Sequence, residues 1–391
     1  MLDHFDHDAL RDGLRTAGAD SWCIFDFHGL NPVLGRVVGS VGMGTRRLFV
    51  FLTPGEEPVA VAHRIELQPL EDFPGRVIPY SRWEELHAAL RPLVQGRTLA
   101  MEISPHDAVP YLDRVPHGIV QLLESFGARI VPSGALVTQF AARWSAGELA
   151  GHLRAAEILA EVARTTLAEI VSLGGTGLRE HAVQQRVVRE LTARGLVFNG
   201  HYPIVGFGAN AANPHYEPVE GDDAELQHDQ VILLDLWAGV GEGSVFADQT
   251  WMAYSGTTPP AGVQEVWCAV RDARDAAIAE ARRLHAAGAP IRGFELDQAS
   301  RRVLEGAGYG HAVLHRTGHS IDRDLHGSGP HLDDLETHDD RVLVEGVGFS
   351  VEPGIYLAGD FGVRSEVNVH YGAEGFRVTP DVPQTALITR A

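Results

Sequence analysis

A chain of 391 residues, 45% hydrophobic and 21% charged, is long enough for two globular domains and ordinary in composition for a soluble protein. Its formal charge of −20 excludes nucleic acid and anionic membranes as expected partners, because both demand a basic face. Two cysteines, Cys23 and Cys268, show no CxxC spacing, which fits a reducing compartment and excludes a thiolate metal site.

The opening MLDHFDHDALRDGL has no basic region followed by an apolar core. No apolar run approaches the ~20 residues that span a bilayer, so a cytoplasmic protein is expected. A short amphipathic segment, Ala9 to Ala17, precedes the strand-like SWCIFDF. RRLFVFL and PVAVAHRIEL flank TPGEEP and read as a hairpin. WEELHAALRPL, TLAMEIS and GIVQLLESFGARIV continue the alternation, so residues 1–135 are expected to form a smaller α/β domain.

A long helix is predicted after Trp144, with Ser145 and Glu148 as a capping box and Gly174-Gly175 as the stop. A second helix carries Val183, Val187 and Leu191 at helical spacing and closes at Gly195. Strand-like segments run from Tyr202 to Tyr254. The order then repeats: a helix from Val263 to Ala287, a shorter one from Glu295 to Leu304, and strands from Ala312 to Tyr371. Residues 136–391 therefore read as an α+β domain with a pseudo-twofold repeat.

Within VILLDLWAGVGEGSVFADQTW, two apolar runs flank a glycine-rich turn. A turn centred on Gly241-Glu242 places Asp235 opposite Asp248, and like charges so opposed destabilise a strand pair. A bound cation turns that penalty into a reason for the arrangement. In the second half, GVGFSVEPGIYL and FGVRSEVNVHY join through a loop centred on Gly359, which places Glu352 opposite Glu366. Two acid pairs with nearby histidines suit a site for two hard or borderline divalent metals.

On these residues the chain resembles the pita-bread metallopeptidases: prolidase, aminopeptidase P and methionine aminopeptidase. The matching pieces are LLDLWA, ADQTW, HRTGHSI, SVEPGIY and VRSEV. The resemblance implies a pita-bread fold over 136–391 and a ligand set of Asp235, Asp248, His319, Glu352 and Glu366. Two divalent ions per subunit (Mn, Co or Zn) are implied, with a water or hydroxide between them as nucleophile and Glu352 as general base. It also implies substrate-side roles for His215, His315 and His326, and outer support from Arg364 and Tyr356. The expected activity is hydrolysis of Xaa–Pro bonds in small peptides, dipeptides first, by a homodimer. The alternatives are an aminopeptidase for longer peptides, a non-peptidase relative, or an inactive peptide-binding module.

Two departures stand out. The family's glycines at two positions are Ser320 and Asp322 here. Where many prolidases carry an arginine that reads the substrate carboxylate, this chain has GSGPH, ending at His331. Arg46 and Arg47, in the MGTRRLF piece of the N-terminal domain, are the substitute candidates. His311, His331 and His338 have no counterpart and are expected in solvated loops. The six tryptophans are expected to serve packing.

Overall fold

A computed structural model describes residues 5–39, 44–174 and 177–390. The chain divides into two units, Met1–Ala141 and Ala142–Ala391.

In the first unit, α1 (His7–Ala17) starts on Asp6, whose carboxylate accepts the N–H groups of Asp8 and Ala9, and stops at the left-handed Gly18. There follow β1 (Ser21–Asp26), α2 (Pro32–Val37), β2 (Leu48–Leu52), β3 (Val59–His63), β4 (Arg76–Tyr80) and α3 (Trp83–Val94). β5 (Thr98–Met101), α4 (His117–Ser125), β6 (Arg129–Pro132) and α5 (Gly134–Phe140) complete it. The strands form one sheet in the order β4-β3-β2-β1-β5-β6. The expected hairpin is β2–β3, with Phe49 opposite Val61. Strands β1 and β2 are buried along their length, which is why SWCIFD and LFVFL are apolar runs and do not alternate.

In the second unit, α6 (Ala146–Leu173) opens on the expected capping box. Ser145 Oγ accepts the Glu148 N–H at 3.2 Å, and the Glu148 carboxylate accepts the Ser145 N–H at 2.8 Å. It ends at the left-handed Gly174; Gly175 lies outside the described residues. α7 (Glu180–Ala193) buries Val183, Val187 and Leu191. Strands β7 (Ile204–Phe207), β8 (Val231–Ala238) and β9 (Ala247–Tyr254) follow as an antiparallel run. Then the order recurs, with α8 (Ala261–Ala286) and α9 (Gly293–Gly306) before β10 (Ser320–Ile321), β11 (Gly348–Val351) and β12 (Gly354–Leu357). β13 (Phe361–Arg364), β14 (Val367–Gly372), β15 (Gly375–Thr379) and β16 (Ile388–Thr389) end the chain.

Sheets β16-β9-β8-β7 and β10-β11-β14-β15, with the β12–β13 hairpin, form the layer that the helices cover. α6 and α7 bury their apolar faces against β8 and β9 through Leu159, Ala163, Val187, Leu234 and Leu236. α8 does the same from the second half through Trp267 and Val270.

The strand registers differ in one respect from expectation. Asp235 faces Thr250, and Asp248 faces Trp237. The acids of the first half are therefore diagonal neighbours, not an opposed pair. The reason is the connection: Ala238 pairs with Ala247, so residues 239–246 form a longer loop in place of a two-residue turn. A slip of two residues preserves the face, because side chains alternate with period two. In the second half the expected register holds in both flanking ladders, Gly354 opposite Arg364 and Val351 opposite Val367. Glu352 and Glu366 fall at the break between those ladders.

Candidate metal centre

One cavity of about 580 Å³ collects Asp235, Asp248, His319, Glu352 and Glu366, together with His215, His326 and Arg364. β8 and β9 present the two aspartates from one face. The segment entering β10 supplies His319, the exit of β11 supplies Glu352, and the step from β13 to β14 supplies Glu366. Ligand-type atoms of Asp248, His319 and Glu366 lie within 4.8 Å of one another.

His319 is aimed by its own backbone neighbourhood. Its Nδ1–H donates to the Ser320 carbonyl at 3.1 Å, since a carbonyl only accepts. Nε2 therefore points into the cavity, 3.5 Å from Asp248 Oδ2 and 3.3 Å from Glu352 Oε1. Gly318 lets this segment lie against β11, because a Cβ there would sit 2.0 Å from the Ser350 carbonyl oxygen. Ser350 Oγ accepts the His319 N–H at 2.8 Å and donates to Glu352 Oε1 at 3.0 Å.

Arg364 holds the opposite wall. It donates to Asp235 Oδ2, to Thr250 Oγ1 at 2.8 Å and to the Tyr356 hydroxyl at 3.1 Å. Thr250 passes the bond on to Glu366 Oε2 at 2.8 Å. The Tyr356 hydroxyl donates to His315 Nε2 at 2.7 Å, and His315 Nδ1–H donates to the Arg316 carbonyl at 2.7 Å. Asn368 accepts the Asp248 N–H at 2.8 Å, tying the two halves of the unit together.

Two buried oxygens stand out against this well-bonded frame. Asp235 Oδ1 and Glu366 Oε1 have no hydrogen-bond partner. A buried carboxylate oxygen without a donor is costly unless a cation meets it. The titration pattern agrees. Burial, with Asp248 and Glu352 adding like charge against the pull of Arg364, lifts Asp235 to about 7. Burial also lifts Asp248, and it lifts Glu366 well above the usual carboxylate range, where neighbouring acids add to it. Glu352 goes the other way: burial is outweighed by His319, His315 and Arg364, and it falls to about 2. His319 is raised, because its bond to Asp248 and the nearby Glu352 overcome burial. The site thus gathers more acid than its one arginine balances, and the donor set fits divalent cations: carboxylate oxygens with one imidazole.

The remaining predicted residues distribute as follows. His215 is exposed on the cavity wall. His326 stacks edge-on to His319 at a ring separation of 4.3 Å and keeps an exposed edge on the cavity. Burial and the adjacent His319 push its imidazole below the ordinary value. His315 is not brought to the cavity lining; protein groups engage both its nitrogens, and burial lowers its pKa. Tyr356 is buried between His315 and Arg364. Arg46 is exposed in the first unit, where its guanidinium bonds to Thr45.

His331 corrects the expectation of a solvated loop. It is buried, Nδ1 accepts the Ser320 N–H at 3.1 Å, and its own N–H donates to Asp339 at 2.9 Å. Its loop is folded inward by the buried acids Asp333 and Asp339, so polarity was a poor guide to exposure. Trp237 packs in a buried cluster, as expected, and it also lines the cavity, as do Asn199, His201 and Leu325. Thr250, Ser350 and Asn368 were not anticipated. Each sits two residues from a candidate ligand, on the same strand face, and that spacing was the available signal.

Two helix–helix–strand halves around a buried acid-rich cavity define the pita-bread class. Comparison with known proteins carries this further. Residues 150–372 match the sequence profile of Metallopeptidase family M24, and the chain belongs to that family. It is 33% identical to the Xaa-Pro dipeptidase of Lactobacillus helveticus over 192 residues, 49% of this chain and 48% of that protein. The match therefore spans about half the length of that curated relative. The fold resembles the dipeptidase PepE of Mycobacterium ulcerans, with a TM-score of 0.74, 22% identity, and 98% and 97% of the two chains covered. It also resembles the prolidase of Thermococcus sibiricus, with a TM-score of 0.68, 22% identity and the same coverage.

Proposed function

We propose that this chain is a peptidase that uses two divalent cations per subunit to hydrolyse Xaa–Pro bonds, dipeptides first. Asp235, Asp248, His319, Glu352 and Glu366 would hold the cations. The observation that carries the reading is the cavity in which these five donors meet, with two carboxylate oxygens left without protein partners. The Lactobacillus helveticus relative, an Xaa-Pro dipeptidase by name, supports the substrate class.

Divalent cations bound there supply Lewis-acid polarisation of the scissile carbonyl and lower the pKa of water to ~7. The chain's own groups do the rest. Glu352, held ionised with Oε1 fixed by Ser350, is the acceptor for the proton that water gives up. His326 and His215 flank the substrate from the cavity wall. A neutral His326 offers an N–H to the oxygen on which charge develops. Tyr356 and His315 brace Arg364, and Arg364 and Thr250 fix the free oxygens of Asp235 and Glu366 toward the cavity centre.

A second reading, cleavage of longer Xaa-Pro peptides from their N-terminus, has one observation in its favour. Among the described residues lining this cavity, Arg364 is the one guanidinium, and it is bonded to Asp235. A dipeptide's carboxylate then has to be read by a histidine of the wall such as His201. A homodimer acting in the cytoplasm remains part of the proposal; no helix among the described residues is long and apolar enough to cross a membrane.

The test is hydrolysis of Xaa-Pro dipeptides and of Xaa-Pro-containing tripeptides, after chelation and after adding back Mn, Co or Zn. Metal-restored dipeptide cleavage supports the first reading, and cleavage confined to longer peptides supports the second. Metal-independent activity, or no activity with any metal, overturns both.

A further inference from the structure

Asp322 is an anomaly: a carboxylate only 3% exposed, at the end of β10, beyond the donor set just described. Its two oxygens are used on its own chain. Oδ1 accepts the Asp324 N–H at 2.8 Å, and Oδ2 accepts the Ser328 N–H at 3.0 Å. The Asp322 N–H donates to the Asp324 carbonyl at 3.1 Å, and the Gly327 N–H donates to the Ser320 carbonyl at 2.7 Å. These bonds close residues 323–327 into a small loop whose ends share one carboxylate.

The loop is also the wall of the cavity. Asp324, Leu325 and His326 all line it, and Leu325 packs on the cluster that contains Trp237. Room for the carboxylate comes from the returning arm of the loop. A Cβ on Gly327 would stand 2.8 Å from Asp322 Cγ, and one on Gly329 would stand 2.5 Å from Ser320 Oγ. Each of the two side chains that depart from the family's glycines thus has a glycine matched to it across the loop. The Ser320 hydroxyl likewise accepts the Gly329 N–H, at 3.0 Å.

We propose that Asp322 is a positioning residue which locks the Asp324–Leu325–His326 wall and so fixes where His326 meets the substrate. The inference rests on the peptidase reading for its kinetic consequence and on hydrogen bonds alone for its structural one. A carboxylate that accepts two backbone N–H groups holds both ends of a short loop. Without it, the amide of Asp324 and the buried amide of Ser328 lose their acceptor, and the Ser328 end of the loop must open to find water.

Two measurements on the metal-loaded full chain decide the matter. The first is amide hydrogen exchange in wild type, Asp322→Asn and Asp322→Ala. Asp324 and Ser328 are expected to lose protection in Asp322→Ala, in part in Asp322→Asn, with helices α6 to α9 unchanged. The second is Xaa-Pro hydrolysis. Asp322→Ala is expected to lower kcat on the order of 100-fold with KM nearly unchanged, the scale of a small misplacement of a catalytic group. In a His326→Ala background the same change should cost nothing further, because its route of action is gone. Gly327→Ala should be damaging alone and add little to the loss already caused by Asp322→Gly, whereas an added loss as large as in the wild type would show that the two positions are not matched. Unchanged protection at Asp324 and Ser328, a wild-type kcat in Asp322→Ala, or an undiminished loss in the His326→Ala background overturns the proposal. A wild-type chain that cleaves no Xaa-Pro substrate overturns the function reading instead, and the exchange experiment still decides whether Asp322 locks the loop.

Discussion

Arg364 donates to Oδ2 of Asp235 and leaves Oδ1 of the same carboxylate buried and unbonded. One oxygen of the acid is thereby fixed by the protein, and the other is presented to whatever enters the cavity. Glu366 is treated in the same way, with Oε2 held by Thr250 and Oε1 free. The planar fork of Arg364 serves Asp235, Thr250 and Tyr356 at once, which a lysine cannot reproduce. Arg364→Lys is expected to weaken divalent-metal affinity roughly 10- to 100-fold, the usual cost of losing an outer partner of a ligand. Competition against a chelating indicator measures this, and an unchanged affinity would refute the role.

Metal binding should release protons. Burial lifts Asp235 to about 7, so at pH 6 the cation-free protein still carries a proton there, and burial raises Asp248 and Glu366 in the same direction. A divalent cation needs them ionised. The sign follows: with folded pKa values above their unfolded ones, these acids stabilise the cation-free fold most below the unfolded value, near pH 4. For Asp235 that contribution is lost as pH rises through about 7. Apparent metal affinity should therefore rise from pH 5 through pH 7 as Asp235 ionises. Calorimetric titration at pH 6 in buffers of different ionisation enthalpy reads the released protons directly, and zero release would sink the assignment.

Much of this centre was legible in the sequence because it is built from strands. Asp235 and Asp248 interrupt apolar runs, and period two kept them on one face even though the loop between β8 and β9 is longer than a hairpin turn. The capping box at Ser145 and the left-handed stop at Gly174 read directly, since each is a local device. What stayed hidden was non-local. Asp322 and His331 lie in a polar stretch that composition assigns to solvent, yet the chain folds it inward around buried acids. Trp237 packs, and it also faces the cavity, a double role that periodicity cannot separate. Thr250, Ser350 and Asn368 were visible as polar residues two places from an acid, a pattern that gains meaning only once the acids are known to converge.

His152 gives a pH prediction independent of the metal site's acids. It is buried, its Nδ1–H donates to the Phe246 carbonyl at 2.7 Å, and its Nε2 accepts from Thr379 Oγ1 at 2.9 Å. Burial drives its pKa down to about 4, against the help of the Phe246 bond and with His370 and Arg377 adding like charge. A base depressed in the folded state stabilises the fold above its unfolded value, near 6.5, and that contribution is lost as pH falls toward about 4. The full effect is on the order of 3 kcal/mol, because each tenfold loss of proton affinity is worth about 1.4 kcal/mol. Urea unfolding of wild type and His152→Gln between pH 4 and 7 should show a steeper slope in the wild type. Parallel slopes would mean that this ring does not carry the dependence.

Gly318 makes a sharper demand than any side chain near it. A Cβ at this position would meet the Ser350 carbonyl oxygen at 2.0 Å and its carbon at 2.9 Å, and both are backbone atoms that β11 holds in place. The next residue is His319, whose N–H bonds Ser350 Oγ. Gly318→Ala must therefore push the His319 segment away from β11 and move Nε2 relative to Asp248 and Glu352. Overpacking of this kind costs about 1–3 kcal/mol. In a domain of this size that corresponds to a fall in Tm of roughly 2–12 °C. Metal affinity should drop with it, whereas a surface change such as Arg323→Ala should leave affinity intact. Thermal melts with and without added metal separate the two effects: the metal-induced rise in Tm should shrink in Gly318→Ala, and a full-sized rise would show that the contact with Ser350 does not position His319.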